Sequence, residues 1–124
     1  MRKSTLFASL LAMFAAVTNS FAQGVIELTT DMPVGSEFQI YLVVGKGEQL
    51  KIDGLEGKFN NGDWSLVTLK KQNVKIEGKI KNLGIDGNQI TSVKMKDMED
   101  LTSLGLKNNK LTEIDLSGAP ALRS

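Results

Sequence analysis

No cysteine and no histidine occur in this sequence of 124 residues. Without cysteine, no disulfide bond can stabilise the fold and no lipid can be attached through a cysteine thiol. The absence of histidine removes the commonest general base and the commonest metal ligand together. We therefore expect a protein that is not an enzyme and that has no cofactor.

The remaining chemically active residue types do not form a convincing site. Serine hydroxyls would need lysine or an unusual partner for activation when no histidine is present. Residues 60–63 are rich in oxygen atoms like a calcium site, and residues 97–100 form an acidic cluster that lacks the spacing and the glycine of a calcium loop. A hairpin turn and a solvated turn, respectively, explain them better. We expect no catalytic, metal-binding or cofactor-binding residue.

Long apolar runs are also scarce, and the one that occurs lies at the N-terminus. Residues 6–17 are apolar except for Ser9, and this run is shorter than the roughly 20 residues that span a bilayer. Arg2 and Lys3 precede it, and small residues at positions 20 and 22 suit a signal peptidase. The pattern predicts a signal peptide over residues 1–22 and export of a mature chain without a membrane span. Export without cysteine is more typical of a bacterial periplasm, cell surface or extracellular space than of small secreted animal domains.

The predicted mature chain is nearly neutral. Removal of Arg2 and Lys3 would leave a net charge of about −1. A charge of this size gives no reason to expect nucleic acid or an anionic membrane surface as a partner.

Residues 23–78 show the short alternating segments of a small antiparallel β unit. Val25–Leu28 is β-branched, and Ser36–Val44 alternates with period two, so that Phe38, Ile40 and Leu42 face one side while Gln39, Tyr41 and Val43 face the other. Leu50–Ile52 is predicted to be the strand that returns after the second of these segments. Val74–Glu77 also alternates and leads through Gly78 into the next region.

A hairpin is predicted at Asn61-Gly62. This dipeptide lies between Phe59 and Trp64, and Asn-Gly is the strongest short hairpin signal because both central residues of that turn need positive φ. Trp64 is expected to pack into the core beside the hairpin. A short helix or a turn is expected between Met95 and Leu104.

Residues 80–122 contain a duplicated pattern. Ile80–Met95 and Leu101–Leu116 align without a gap, with apolar residues at relative positions 1, 4, 6, 11, 14 and 16 and asparagine at position 9. Leu122 follows Leu101 by 21 residues, the same offset that separates Leu101 from Ile80, and it opens a third copy. This is the spacing of leucine-rich repeats, in which a short strand from each copy lies parallel to its neighbour. Asn88 and Asn109 are predicted to satisfy backbone groups between adjacent coils as an asparagine ladder; a ligand contact is the alternative.

The two units resemble the short repeats of secreted bacterial leucine-rich-repeat proteins and are similar in that respect to internalins. The segments 25–30 and 74–78 resemble the β-rich N-terminal cap that precedes such repeats in secreted proteins of Gram-negative bacteria. The resemblance implies a mainly β fold, in which a small antiparallel β cap over residues 23–78 is followed by the first two coils of a leucine-rich-repeat solenoid with a short parallel sheet over residues 79–124. It also implies a binding role.

The repeat geometry predicts an interaction face beside the buried pair of each short strand. Its members are the small or charged residues Lys81, Asn82, Gly84, Asp86, Thr102, Ser103, Gly105 and Lys107. None is a Trp, Tyr or Arg, the residues that interface hot spots favour. An ordinary solvated sheet face is therefore the alternative interpretation.

Three hypotheses of function follow. The first is an exported interaction module that recognises a protein or a glycan at the bacterial surface. The second is the N-terminal part of a longer repeat protein with no independent binding activity, because solenoids need about three repeats and polar caps; the end of its last coil could then also self-associate. The third is a carbohydrate-binding module that uses the aromatic residues Tyr41 and Trp64.

Overall fold

The computed structural model describes residues 24–123, so the predicted signal peptide lies outside the described residues. Within them the fold is all-β, without helix, which confirms the predicted mainly β class. The ten strands are β1 (Val25–Thr30), β2 (Glu37–Val44), β3 (Lys51–Asp53), β4 (Leu55–Glu56), β5 (Asp63–Leu69), β6 (Asn73–Glu77), β7 (Ile80–Gly84), β8 (Ile90–Lys96), β9 (Ser103–Gly105) and β10 (Glu113–Asp115). Nothing in the described part of the chain forms a helix with the length and apolar character that membrane crossing requires.

The strands form two five-stranded sheets. Sheet A has the order β10-β8-β1-β6-β3, and sheet B has the order β4-β5-β2-β7-β9. Both sheets are mixed, because the pairs β8/β10 and β7/β9 are parallel while the others are antiparallel. Their inner faces share one hydrophobic core. The alternation predicted for β2 is confirmed, since Phe38, Ile40 and Leu42 are buried in that core.

Each copy of the duplicated pattern contributes one strand to each sheet. In sheet B, Leu83 pairs with Leu104, and in sheet A, Val93 pairs with Ile114; both pairs join equivalent positions of the two copies. The copies therefore lie in register. The prediction of one short parallel sheet needs correction: the parallel pairs form one edge of each sheet, because the second half of each copy also forms a strand.

The segments before and after Gly78 are joined in both sheets. β7 pairs with β2, and β8 pairs with β1. Strands of both segments therefore enclose the same core.

Two local predictions were wrong. β3 is not the return strand of β2 but pairs with β6 in the opposite sheet, with Ile52 opposite Ile76. Asn61-Gly62 forms no hairpin, since only Gly62 has a positive φ, of 83°, whereas the expected turn needs two. The Asn61 side chain instead accepts a hydrogen bond from Val44 N at 3.0 Å and donates one to Val44 O at 3.1 Å.

Candidate functional site

The outer surface of sheet B carries a row of aromatic residues and glycines. Tyr41 pairs with Trp64 on one side and with Gly84 on the other, and Gly84 pairs with Gly105. These four residues lie side by side across β5, β2, β7 and β9. We call them the aromatic–glycine row.

Trp64 lies on the surface and not in the core, which corrects the prediction from sequence. Its exposed fraction is 44%, because the alternation of β5 buries Ser65 and Val67 and turns Trp64 and Leu66 outward. Leu66 is 65% exposed. The Trp64 and Tyr41 ring centroids are 5.6 Å apart with an interplanar angle of 47°. This tilted pair is a favourable aromatic geometry that still leaves indole surface open to solvent.

The two glycines leave room for neighbouring side chains that a Cβ atom would meet. A Cβ atom at Gly84 would lie 3.1 Å from Cη2 of Trp64 and 3.2 Å from Cβ of Tyr41. At Gly105 it would lie 2.9 Å from Oδ1 of Asp86. Neither glycine has a positive φ that would require it. Glycine inside a strand weakens the strand, and it often marks a place where a ligand or another backbone approaches closely.

Rings and glycines border a shallow hollow of about 220 Å³. Its lining consists of Tyr41, Trp64, Asn82, Leu83, Gly84, Asp86, Ser103 and Gly105. Asp86 accepts two hydrogen bonds: its side-chain Oδ1 accepts from Lys107 N at 3.2 Å, and its carbonyl oxygen accepts from Gln39 Nε2 at 2.8 Å. The hollow thus combines an aromatic wall, two glycines without side chains and a carboxylate.

Five residues of the predicted interaction face line this hollow, namely Asn82, Gly84, Asp86, Ser103 and Gly105. Lys81 and Lys107 are exposed outside it, and Thr102 is half-buried, with Oγ1 3.4 Å from Lys81 O. Tyr41 and Trp64 were missing from the predicted face. The alternation of β2 already placed Tyr41 outward, but no local pattern shows that β2 lies between β5 and β7.

Asn88 lies apart from this surface. It is buried, and its side chain accepts a hydrogen bond from Gln39 N at 3.0 Å and donates to Gln39 O at 2.7 Å. It therefore ties the loop after β7 to the backbone of β2.

Asn109 occupies the position of Asn88 in the second copy, and its side chain also bonds to backbone groups of the preceding segment. Its Oδ1 accepts from Asn88 N at 2.9 Å and from Ile90 N at 3.0 Å, and its Nδ2 donates to Ile85 O at 3.0 Å. The two asparagines thus occupy backbone-bridging positions between successive segments, away from the hollow.

The charged outer surface of sheet A is a weaker candidate although its hollow, of about 390 Å³, is larger. Lys75 stands between Asp53 and Glu27 on the neighbouring strands, and Lys94 stands between Glu27 and Asp115. Opposite charges on facing strands attract one another across the sheet. Because these charges compensate one another within the sheet, this surface is typical of a solvated face.

Acid–base and metal chemistry have little support in the described residues. No group of three or more Asp and Glu residues within residues 24–123 is arranged to hold a metal ion. The segment 97–100 is a turn in which Asp97, Glu99 and Asp100 are exposed. Known protein families, curated proteins and solved structures give no match to this chain. The hollow on sheet B is suited to stacking and hydrogen bonding, and so to binding.

Proposed function

We propose that this protein is a non-enzymatic, exported binding module of the leucine-rich-repeat type, which recognises a protein or a glycan at the bacterial surface. Residues 80–122 are its opening coils, and the strands β1 to β6 are the N-terminal cap. The predicted signal peptide supports export, and the outer surface of sheet B is the binding face.

The hydrogen bonds between the two copies support the coil assignment. Ile85 N donates to Gly105 O and Gly87 N to Lys107 O, each at 2.9 Å. The second half repeats the pattern, with Thr112 N donating to Thr91 O at 2.9 Å. Bonds that join equivalent or adjacent positions of successive copies, on both sides of the core, are what stacked coils produce.

The observation that carries the binding role is the aromatic–glycine row. Tryptophan and tyrosine are enriched among the residues that dominate binding energy. Trp64 stays 44% exposed beside a 65% exposed Leu66, although burial of either side chain would stabilise the fold. Exposed apolar surface rimmed by polar groups is typical of an interaction site.

A binding array tests the proposal. The full, fluorescently labelled chain would be applied to immobilised bacterial envelope polysaccharides, host glycans and extracellular-matrix proteins. We expect binding to at least one class, and a loss of about tenfold or more for Trp64→Ala, the effect typical of a hot-spot aromatic.

Val34→Ala is the matched control. Val34 is 59% exposed in the turn between β1 and β2 and contributes to neither sheet. Its substitution should leave binding unchanged. Equal binding by the Trp64→Ala variant, or no binding by the wild-type chain to any immobilised class, would contradict the proposal.

A second candidate function is the opening part of a longer repeat protein. Ile114 in the second copy is 41% exposed, although the matching Val93 of the first copy is fully buried. Leu116, which is 42% exposed, matches Met95, which is partly buried against the core. A further coil stacked on β9 and β10 would cover them. Translation of the DNA that follows the Ser124 codon tests this candidate: in-register repeats would support it, and unrelated sequence would contradict it.

A further inference from the structure

We infer that the aromatic–glycine row binds a neutral pyranose sugar, with the sugar ring stacked on Trp64. This inference rests on the proposed binding function and names its ligand class. The face of an indole ring carries partial negative charge and attracts the weakly positive C–H groups of a flat sugar ring. Trp64 is 44% exposed and offers indole surface of this kind on the outer side of sheet B.

The floor of the hollow has the shape that a ring-sized ligand needs. Gly84 is buried against the Cη2 side of the Trp64 indole, and Gly105 beside it leaves the backbone of β9 partly exposed. A side chain at Gly105 would approach Oδ1 of Asp86 within about 3 Å. The volume of about 220 Å³ lies below the roughly 300–1,000 Å³ of sites for drug-sized ligands. A single sugar ring of a longer glycan fits this size better than a folded protein segment with several anchors.

The rim supplies hydrogen-bonding groups for hydroxyls. The Asn82 amide can both donate and accept, and it borders the hollow beside Gly84. Asp86 already accepts the Lys107 amide through Oδ1, and the remaining lone pairs of a carboxylate can accept from hydroxyl donors. Sugars carry hydroxyls around the ring edge, so stacking and edge contacts can be made together.

The charge of the hollow selects a neutral sugar. Asp86 is its one carboxylate, and neither lysine nor arginine lines it. An acidic sugar such as a uronate would place like charges close together, which disfavours binding. The fitting ligand is therefore a neutral hexose unit and not an acidic polysaccharide.

Fluorescence titration tests the inference directly, because Trp64 is the single tryptophan of the chain. The full chain would be titrated with neutral glucose, galactose and mannose oligosaccharides and with an oligogalacturonate. We expect a change in Trp64 emission with at least one neutral series and at least about tenfold weaker binding of the uronate.

Three variants locate the site, with binding measured by calorimetry so that no tryptophan is needed. Trp64→Ala should weaken neutral-sugar binding at least about tenfold, and Trp64→Phe should restore part of it. Gly105→Val should abolish binding while the chain keeps its unfolding midpoint, because valine is favoured in strands and the atom it approaches ends a flexible side chain. Ser92→Val on the outer surface of sheet A is the matched control and should bind as wild type.

Each outcome supports or contradicts the sugar assignment. Preferred binding of the uronate, or neutral-sugar binding that Trp64→Ala and Gly105→Val leave unchanged, would overturn the inference. If no sugar binds while an immobilised protein is bound in a Trp64-dependent way, the sugar assignment fails and the proposed binding function stands. If neither sugars nor proteins bind, both fail.

Discussion

At the scale of single residues, two asparagine side chains make the backbone hydrogen bonds that a neighbouring strand would otherwise make. Asn61 bonds to both the N–H and the C=O of Val44, and Asn88 does the same to Gln39. An amide side chain can do this because its oxygen and nitrogen are spaced like those of a peptide group. Both contacts fall on β2, near where its pairing with β7 ends or shifts register.

Asn109→Ala is expected to destabilise the protein. The substitution removes the acceptor of Asn88 N and Ile90 N and the donor to Ile85 O. Leaving such partly buried groups without partners costs about 1–3 kcal/mol. Urea unfolding would measure the change, with the exposed neighbour variant Lys110→Ala as control. An unchanged midpoint for Asn109→Ala would contradict the ladder assignment.

A second residue-scale prediction concerns pH. The Ser117 hydroxyl and the Ser117 backbone N–H both donate to Oδ1 of Asp115, at 2.7 and 3.0 Å, and they lower the pKa of this exposed carboxyl below its usual range. Because the folded pKa is lower than the unfolded one, the resulting stabilisation is present above the ordinary aspartate pKa. It is lost as the pH falls through the folded value.

Ser117→Ala removes the hydrogen bond that has the larger effect on this pKa. We expect the pKa of Asp115 to rise towards its usual range, as measured by NMR titration of its carboxyl carbon. Ser92→Ala, on a different strand, should not change it. If the Asp115 titration curve is the same in Ser117→Ala and in the wild type, the hydrogen bond from the Ser117 hydroxyl does not lower the pKa of Asp115.

At the scale of elements, the connection after β10 is packed against the end of β8. Gly118 O accepts a hydrogen bond from Met98 N at 2.8 Å. A Cβ atom at Gly118 would overlap the carbonyl group of Met95, which is backbone and cannot move aside without displacing the strand. The parallel pairing of β10 with β8 therefore depends on glycine at position 118.

Gly118→Ala is expected to destabilise the protein by about 1–3 kcal/mol, the usual cost of forcing an extra carbon into a packed site. Gly105→Ala is the matched control, because the atom that its Cβ would approach is the carboxylate oxygen of Asp86, which can rotate away. Thermal unfolding of the two variants provides the comparison. Equal midpoints would show that the contact with Met95 does not limit the packing of β10.

At the scale of the whole molecule, the edge strands on one side of the two sheets differ from those on the other side. β3 and β4 form the edges at one side, and the parallel strands β10 and β9 form the edges at the other. The second side also exposes Ile114 and Leu116. Open strand edges with apolar side chains are prone to associate.

Self-association through β9 and β10 is therefore a prediction for the isolated chain. Sedimentation velocity should show a concentration-dependent shift to larger species, and Leu116→Lys should move the equilibrium towards monomer. Val34→Lys, a charge added at an exposed apolar residue away from this edge, is the control. A wild-type chain that stays monomeric at all concentrations would contradict the prediction.

Much of the fold could be predicted from local patterns. The alternation in β2 placed Phe38 and Ile40 in the core, and the duplicated spacing predicted that strands of the two copies pair in parallel at equivalent positions. The prediction of a hairpin at Asn61-Gly62 was wrong because a local preference for a turn competes with tertiary contacts. Here the Asn61 side chain makes hydrogen bonds to the backbone of Val44. Trp64 was misplaced because an aromatic residue near a turn can lie on either face, and only the register of β5 decides which.

The sequence by itself determined which residues of β2 face inward and how one repeat lies on the next, because both follow from side-chain periodicity and a fixed offset along the chain. Only the tertiary structure decided that residues 41, 64, 84 and 105 form one row. The reason is that strand order and register depend on the packing of the entire core. A period of two tells which side chains of a strand share a face, but it does not tell which strand lies beside that strand.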